Sequence, residues 1–294
     1  MPTTTRIDAT ADERAAVREL LSAWPLAIAD IPADADTTDL LPHTGGVPGG
    51  WVDADRRGIS AGVLMYVHGG GFRFTNPDAE RVLTYRLSRA TGRPGLRVDF
   101  RLVPDHPFPA AIEDVTAAYR SLLDQGVPAS RIILAGESSG GTLLLSSLLV
   151  LKEEGTALPG GAVAVGPLTD LTFSSPSMTA NEGKDIISGV GDDSLAQDYL
   201  NGAAPDEAPQ SPLFGDLRGL PPVLLAAGGD ELMLDDARRF ADAATAAGVD
   251  ATLDIYEGMP HVFHAVILNE AIPQTGTTFL SRLSAWVDHL DSGA

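Results

Sequence analysis

The chain is 294 residues long and 44% hydrophobic, with 40 acidic residues against 20 basic ones and no cysteine. That length buries a large core, as one big α/β domain or a domain with a small accessory piece. The formal net charge of -20 disfavours nucleic acid and anionic membrane surfaces as partners, and the lack of cysteine excludes disulfides, thiolate metal sites and a thiol nucleophile.

The N-terminal "MPTTTRIDATADERAA" has no apolar core of the signal-peptide kind. The longest apolar run, "TLLLSSLLVL" (142–151), is too short and too rich in serine to span a bilayer. A soluble cytoplasmic protein is the expectation. Only Lys152 and Lys184 are lysines, and the preference for arginine, with abundant Ala and Gly, points to a GC-rich bacterial gene. "ADERAAVRELLSAW" (11–24) reads as an amphipathic helix, followed by a Pro/Asp-rich stretch. From there short apolar runs recur: "VLMYVH" (63–68), "LRVDF" (96–100), "RIILAG" (131–136), "GAVAVG" (161–166), "PVLLAAG" (222–228) and "ATLDIY" (251–256). Helix-period segments separate most of them, and two, ending at Gly155 and Gly248, close on a C-cap signal. A last helix, "TTFLSRLSAWVDHL", follows the last run. Continuous apolar strands alternating with helices predict an α/β fold with a mostly parallel central sheet covered on both faces. Residues 168–212 break the alternation. They are polar, turn-rich and far longer than an ordinary connection, which suggests a lid or binding element, with a surface loop as the plain alternative.

"LAGESSGGTLLL" (134–145) joins a strand to a helix through a G-x-S-x-G turn centred on Ser138. This is the arrangement of a nucleophile elbow. The serine sits on a tight strained turn, and the glycines avoid collision with the neighbouring strand and helix. A serine hydroxyl needs a base oriented by an acid, and in this fold the chain order is serine, acid, histidine. Of six histidines, order leaves His261, His264 and His289. His289 falls inside the terminal helix pattern. His261 follows the strand "ATLDIY" directly and is favoured over His264. For the acid, Asp230 follows the strand "PVLLAAG" and is favoured over its neighbour Glu231. Asp235 and Asp236 read as first-turn residues of the next helix. "HGGGF" (68–72) supplies consecutive glycines whose N–H groups can approach a substrate oxygen closely, with His68 as an anchor of the loop rather than a base.

These motifs together resemble the hormone-sensitive-lipase-like group (bacterial family IV) of α/β-hydrolase carboxylesterases. They run as "HGGGF", "VDFRLVPDHPFPAAIEDV" (98–115), "GESSGG", "GGDELMLDD" and "GMPHVFH", and the resemblance covers roughly residues 45–290. Glu137 and Ser139 stand where the family usually has Asp and Ala. The resemblance implies Ser138 as nucleophile, Asp230 as acid and His261 as base. It also implies oxyanion donors from Gly69, Gly70, Gly71 and Ser139, with Asp105 helping to hold the glycine loop. It implies an α/β-hydrolase catalytic domain (41–294) with a small helical cap built from residues 1–40 and, in part, from 168–212.

The expected reaction is hydrolysis of short-chain esters through an acyl-enzyme, with no metal and no cofactor. Some scaffold stretches are similar to monoterpene ε-lactone hydrolases, so a lactone substrate is the alternative; amidases and formamidases are also open. A non-catalytic receptor on the same scaffold would not need His261. The run Ala251–Tyr256 is expected to be the sheet's edge, which would invite a homodimer by strand pairing unless Asp250 and Asp254 keep it solvated.

Overall fold

The computed structural model describes residues 1–22, 28–30, 37–38, 45–53, 58–187 and 194–293. The six apolar runs become β4 (Val63–Val67), β5 (Gly95–Val98), β6 (Ile132–Glu137), β7 (Gly161–Val165), β8 (Val223–Gly228) and β9 (Ala251–Tyr256). Three strands were not foreseen: β1 (Thr3–Ile7), β2 (Thr37–Thr38) and β3 (Gly49–Val52). Together they form one nine-stranded sheet in the order β1-β9-β8-β7-β6-β4-β5-β3-β2. β3 runs antiparallel to both its neighbours, β2 and β5, and every other neighbouring pair is parallel.

Alternate side chains of each strand go to opposite faces, as the strand period of two requires. Val63, Met65 and Val67 of β4 enter one core and Leu64 and Tyr66 the other. Three helices cover the first face: α3 (Ala110–Asp124), α4 (Ser139–Glu153) and α7 (Leu234–Ala246). α1 (Ala11–Ser22), α2 (Pro77–Thr91) and α8 (Gln274–Ser292) cover the second. Two short helices, α5 (Ser177–Ala180) and α6 (Ser194–Leu200), belong to the long insertion. Gly155 and Gly248, just past α4 and α7, take φ of 71° and 83°, the left-handed conformation that ends a helix at a glycine.

β1 changes two expectations. Thr3–Ile7 pairs in register with Thr252–Tyr256, so β9 is not the edge of the sheet and offers no free ladder to a second copy. Asp254, expected to keep that strand wet, is buried and ion-paired with Arg282, which also donates to Thr5 Oγ1 at 3.2 Å. The strand is covered because "TTTRI" is short and polar, without the apolar alternation that marks a strand, yet pairs through its backbone. The segment expected as a cap, residues 1–40, therefore begins inside the sheet, and Thr37–Thr38 also belong to it. Residues 23–27, 31–36 and 39–40 of that segment, and 188–193 of the insertion, lie outside the described residues.

Candidate active site

The chain reverses direction across the sheet between β5 and β6, on either side of β4. Open α/β sheets gather ligands at such a point, outside the carboxyl ends of the strands. The loops after β4, β6, β7, β8 and β9 converge there.

Ser138 occupies the turn from β6 to α4 with φ 53° and ψ -127°, a conformation costly for a side-chain-bearing residue and found where a function holds it. Its N–H donates to Val165 O at 2.8 Å. The turn closes only because of its glycines. A Cβ on Gly140 would lie 2.2 Å from Val67 O, and one on Gly136 would lie 2.6 Å from the same atom. The free N–H groups at the start of α4 point toward the serine, as at any helix N-terminus.

The glycine loop runs beside the elbow. A Cβ on Gly69 would lie 3.2 Å from Ser138 Cβ. Gly69 N–H, expected among the oxyanion donors, is already engaged: it donates to Glu137 Oε1 at 2.8 Å. The N–H groups of Gly70, Gly71 and Ser139 have no internal acceptor among the described residues. His68 anchors the loop as anticipated, its Nδ1 2.6 Å from Gly69 O and its ring stacked on Phe100 at 4.2 Å. Asp105 is exposed and does not hold the loop. That task falls to Glu137 and to Val103 N–H, which donates to Phe72 O at 3.0 Å.

Glu137 is itself unusual. Its carboxylate accepts the Tyr66 hydroxyl at 2.7 Å. Burial raises its pKa from 4.5 to about 7, against the opposing pull of the Tyr66 and Gly69 hydrogen bonds. Tyr66, reading only as a core position in sequence, supplies that hydroxyl from the middle of β4.

The acid and the histidine differ from expectation in one respect. Asp230 turns outward: its Oδ2 accepts from Arg18 Nη2 at 2.7 Å, with the carboxylate one-third exposed (32%). Its neighbour Glu231 is fully buried and faces the imidazole, with Oε2 3.5 Å from His261 Nδ1. Neither atom has another partner among the described residues, and such contacts are often long before substrate binds. Asp230 therefore does not orient His261, because the turn after β8 sends adjacent side chains to opposite sides. Gly166, with φ 53°, lies against both groups: a Cβ there would sit 2.8 Å from His261 Nδ1 and 3.1 Å from Glu231 Oε2. Since Ser138 N–H bonds to Val165, the serine and the His261–Glu231 pair lean on the same strand end. Burial alone would lower the imidazole pKa, but the Glu231 carboxylate outweighs it and raises it above 6.5, with Asp185 and Glu137 adding to the effect.

His264 is also buried, but among Phe263 and Phe279. Burial, reinforced by His261, lowers its pKa to about 3, so it stays neutral. Between the two histidines Val262 adopts φ 52° and ψ 27°, which a β-branched residue rarely tolerates. Phe72, Ser138 and Val262 all have positive φ, so each of the three loops around the serine carries backbone strain.

A cavity of about 640 Å³ opens between the glycine loop, α2 and the histidine loop. Phe74, Pro77, Leu83, Ala265 and Leu268 give it apolar walls, and Gly70, Glu137 and His264 line its polar side. The insertion is stitched to the site. Ser177 Oγ donates to Leu232 O at 2.6 Å, Asn181 Nδ2 to Glu231 O at 2.9 Å, and Asp185 accepts from the loops after β8 and β9. Asp236, expected only as a first-turn residue, is buried and accepts the N–H groups of Thr169 and Asp170 at 2.9 Å each.

The sequence pattern of the alpha/beta hydrolase fold family matches residues 64–265. The chain belongs to that family. It is 41% identical over 202 residues to an acetyl-hydrolase of Streptomyces hygroscopicus, spanning 68% of each chain. It is 30% identical over 218 residues to an ethyl acetate hydrolase of Pseudomonas putida, spanning 71% of this chain and 68% of the relative. A solved esterase of the bacterial hormone-sensitive lipase family superposes with a TM-score of 0.86 at 34% identity, covering 95% of this chain and 98% of that one. The protein is a hydrolase of this esterase group, a carboxylesterase. No described helix is long and apolar enough to cross a membrane, and among the described residues no cluster of three or more His, Asp or Glu could hold a metal ion.

Proposed function

We propose that the protein hydrolyses small, short-acyl esters through an acyl-enzyme on Ser138, with His261 as base and Glu231 as the acid that orients it. The observation that carries this assignment is the buried His261–Glu231 contact packed against Gly166, next to the Val165 carbonyl that accepts the N–H of the strained Ser138. His261 takes the serine proton as Ser138 attacks the ester carbonyl. Glu231 stabilises the imidazolium that forms. The N–H groups of Gly70, Gly71 and Ser139 receive the oxyanion, while Gly69 serves the loop through Glu137. The alcohol departs with the proton from His261, and water then releases the acid by the reverse sequence.

The cavity of about 640 Å³ is the size of a small-ligand site, and its apolar walls suit a short acyl or alcohol group. α1 and residues 177–187 act as a cap held to the catalytic loops. The acidic surface suits a soluble cytoplasmic enzyme that meets dissolved substrate rather than an anionic lipid surface. The test is kcat/KM for p-nitrophenyl acetate, butyrate, decanoate and palmitate beside a seven-membered lactone, with Ser138→Ala as control. Acetate or butyrate should lead. A maximum on palmitate contradicts the small substrate. A lactone value tenfold above every ester, worth about 1.4 kcal/mol in the transition state, makes the protein a lactone hydrolase instead. Full activity in Ser138→Ala removes the serine mechanism.

A further inference from the structure

We infer that Asp185, from the insertion, is a positioning residue that fixes the spacing of His261 and Glu231 through the backbone of both their loops. The inference rests on the Ser138–His261–Glu231 assignment above. Asp185 Oδ1 accepts the N–H of His261 itself at 2.8 Å, and Oδ2 accepts the N–H of Leu232, the residue after Glu231, at 2.8 Å. One carboxylate thus spans the two loops, with one oxygen for each. Its own turn is closed by Ile186 N–H, which donates to Oδ1 at 2.7 Å. A carboxylate is an acceptor on both oxygens, whereas an amide of the same shape accepts on only one. Two convergent N–H donors therefore select Asp over Asn.

The segment that carries Asp185 is anchored independently of this carboxylate. Asn181 Nδ2 donates to Glu231 O, and Arg18 Nη1 donates to Lys184 O at 2.5 Å while Nη2 reaches Gly258 O at 3.1 Å. These contacts hold the chain in place when the Asp185 side chain changes, so its contribution can be separated from folding. The charge matters as well as the hydrogen bonds. The titratable groups that bear on His261 are Glu231 from the loop after β8, Asp185 from the insertion, Glu137 from the elbow, and His264 from its own loop. Asp185 is negative and favours the imidazolium.

The experiment compares Asp185→Asn and Asp185→Glu with the wild type on p-nitrophenyl acetate across pH 5 to 9. Thermal melts confirm folding, and the His261 imidazole is titrated by NMR. In Asp185→Asn, kcat should fall on the order of 100-fold, as a misplaced reacting group does, with KM nearly unchanged. The acid limb of kcat/KM and the NMR pKa of His261 should both move to lower pH. Asp185→Glu, which keeps the charge, should recover the position of the limb and part of kcat. A folded Asp185→Asn with wild-type kcat and an unmoved His261 titration overturns the inference. Should Asp185→Asn fail to fold, a folded Asp185→Glu with the wild-type limb and a reduced kcat supports it, and one whose kcat equals the wild type overturns it. Failure of the underlying assignment is seen separately: His261→Ala would then retain activity whatever Asp185 does.

Discussion

Asp230 and Glu231 are neighbours in the chain and face opposite ways: Asp230 pairs with Arg18 at 2.7 Å near the surface, and Glu231 faces His261 at 3.5 Å in the interior. The two substitutions should separate cleanly. Glu231→Gln should lower kcat on the order of 10⁴, the cost of leaving a catalytic imidazole without its carboxylate. Asp230→Asn removes an ion pair about one-third exposed, worth under about 1 kcal/mol of stability, and should leave kcat within a few-fold. Steady-state kinetics on p-nitrophenyl acetate decide it, and the reverse ranking would restore Asp230 as the acid.

Gly166→Ala tests the packing behind the histidine. The added methyl meets His261 Nδ1 at 2.8 Å and Glu231 Oε2 at 3.1 Å, at a backbone φ of 53°. The strain costs about 1–2 kcal/mol of stability. The displaced imidazole should cost on the order of 100-fold in kcat. A melting curve and a kcat measurement on the same preparation give both numbers. A variant with unchanged kcat would show that the imidazole has room that the geometry denies it.

Glu137→Gln should alter how stability depends on pH. Burial raises the folded-state pKa from 4.5 to about 7. A carboxyl raised in this way contributes stability fully below its unfolded value, and that contribution is lost as pH rises through about 7. The wild type should therefore lose stability relative to Glu137→Gln between pH 4.5 and 7, by at most about 3 kcal/mol. Urea unfolding of both proteins at pH 5 and pH 8 measures it. A difference in stability that does not change with pH would mean that Glu137 is ionised throughout, held by Tyr66 and Gly69.

Removing residues 1–7 should uncover β9. Its backbone then loses the ladder to Thr3–Ile7, and a bare strand at a sheet edge is a template for another chain. Light scattering of the truncated and full-length proteins at equal concentration should show self-association only in the former. Equal masses would mean that Arg282 and Asp254 protect the strand without β1.

What could be read in advance follows from how local each signal is. The six core strands announce themselves because both faces are buried and nearly every position is apolar. Ser138 is legible as the elbow position because its turn demands glycines at fixed offsets, and His261 is legible as a candidate base because it follows the last strand. β1 carries no such mark, since a short polar edge strand is specified by its partner rather than by its own side chains. Asp230 and Glu231 stand one residue apart in a turn, and no periodicity tells which one points inward. Asp185 sits in a polar stretch where an acidic residue is ordinary, and its role exists only once the β8 and β9 loops have met around it.

The pairing of Thr3–Ile7 with Thr252–Tyr256 also sets an order of assembly. Those partners stand at opposite ends of the chain, and closing so long a loop is favourable only after the intervening sheet has formed. During synthesis the first strand waits for the last. α1, which follows β1 directly and carries Arg18, settles on the Asp230 and Gly258 loops only then. The ties from Arg18 to Asp230 and to Gly258 O are thus among the last to close, so a nascent or truncated chain can hold a nearly finished core while the loops after β8 and β9 still lack their link to the N-terminal segment.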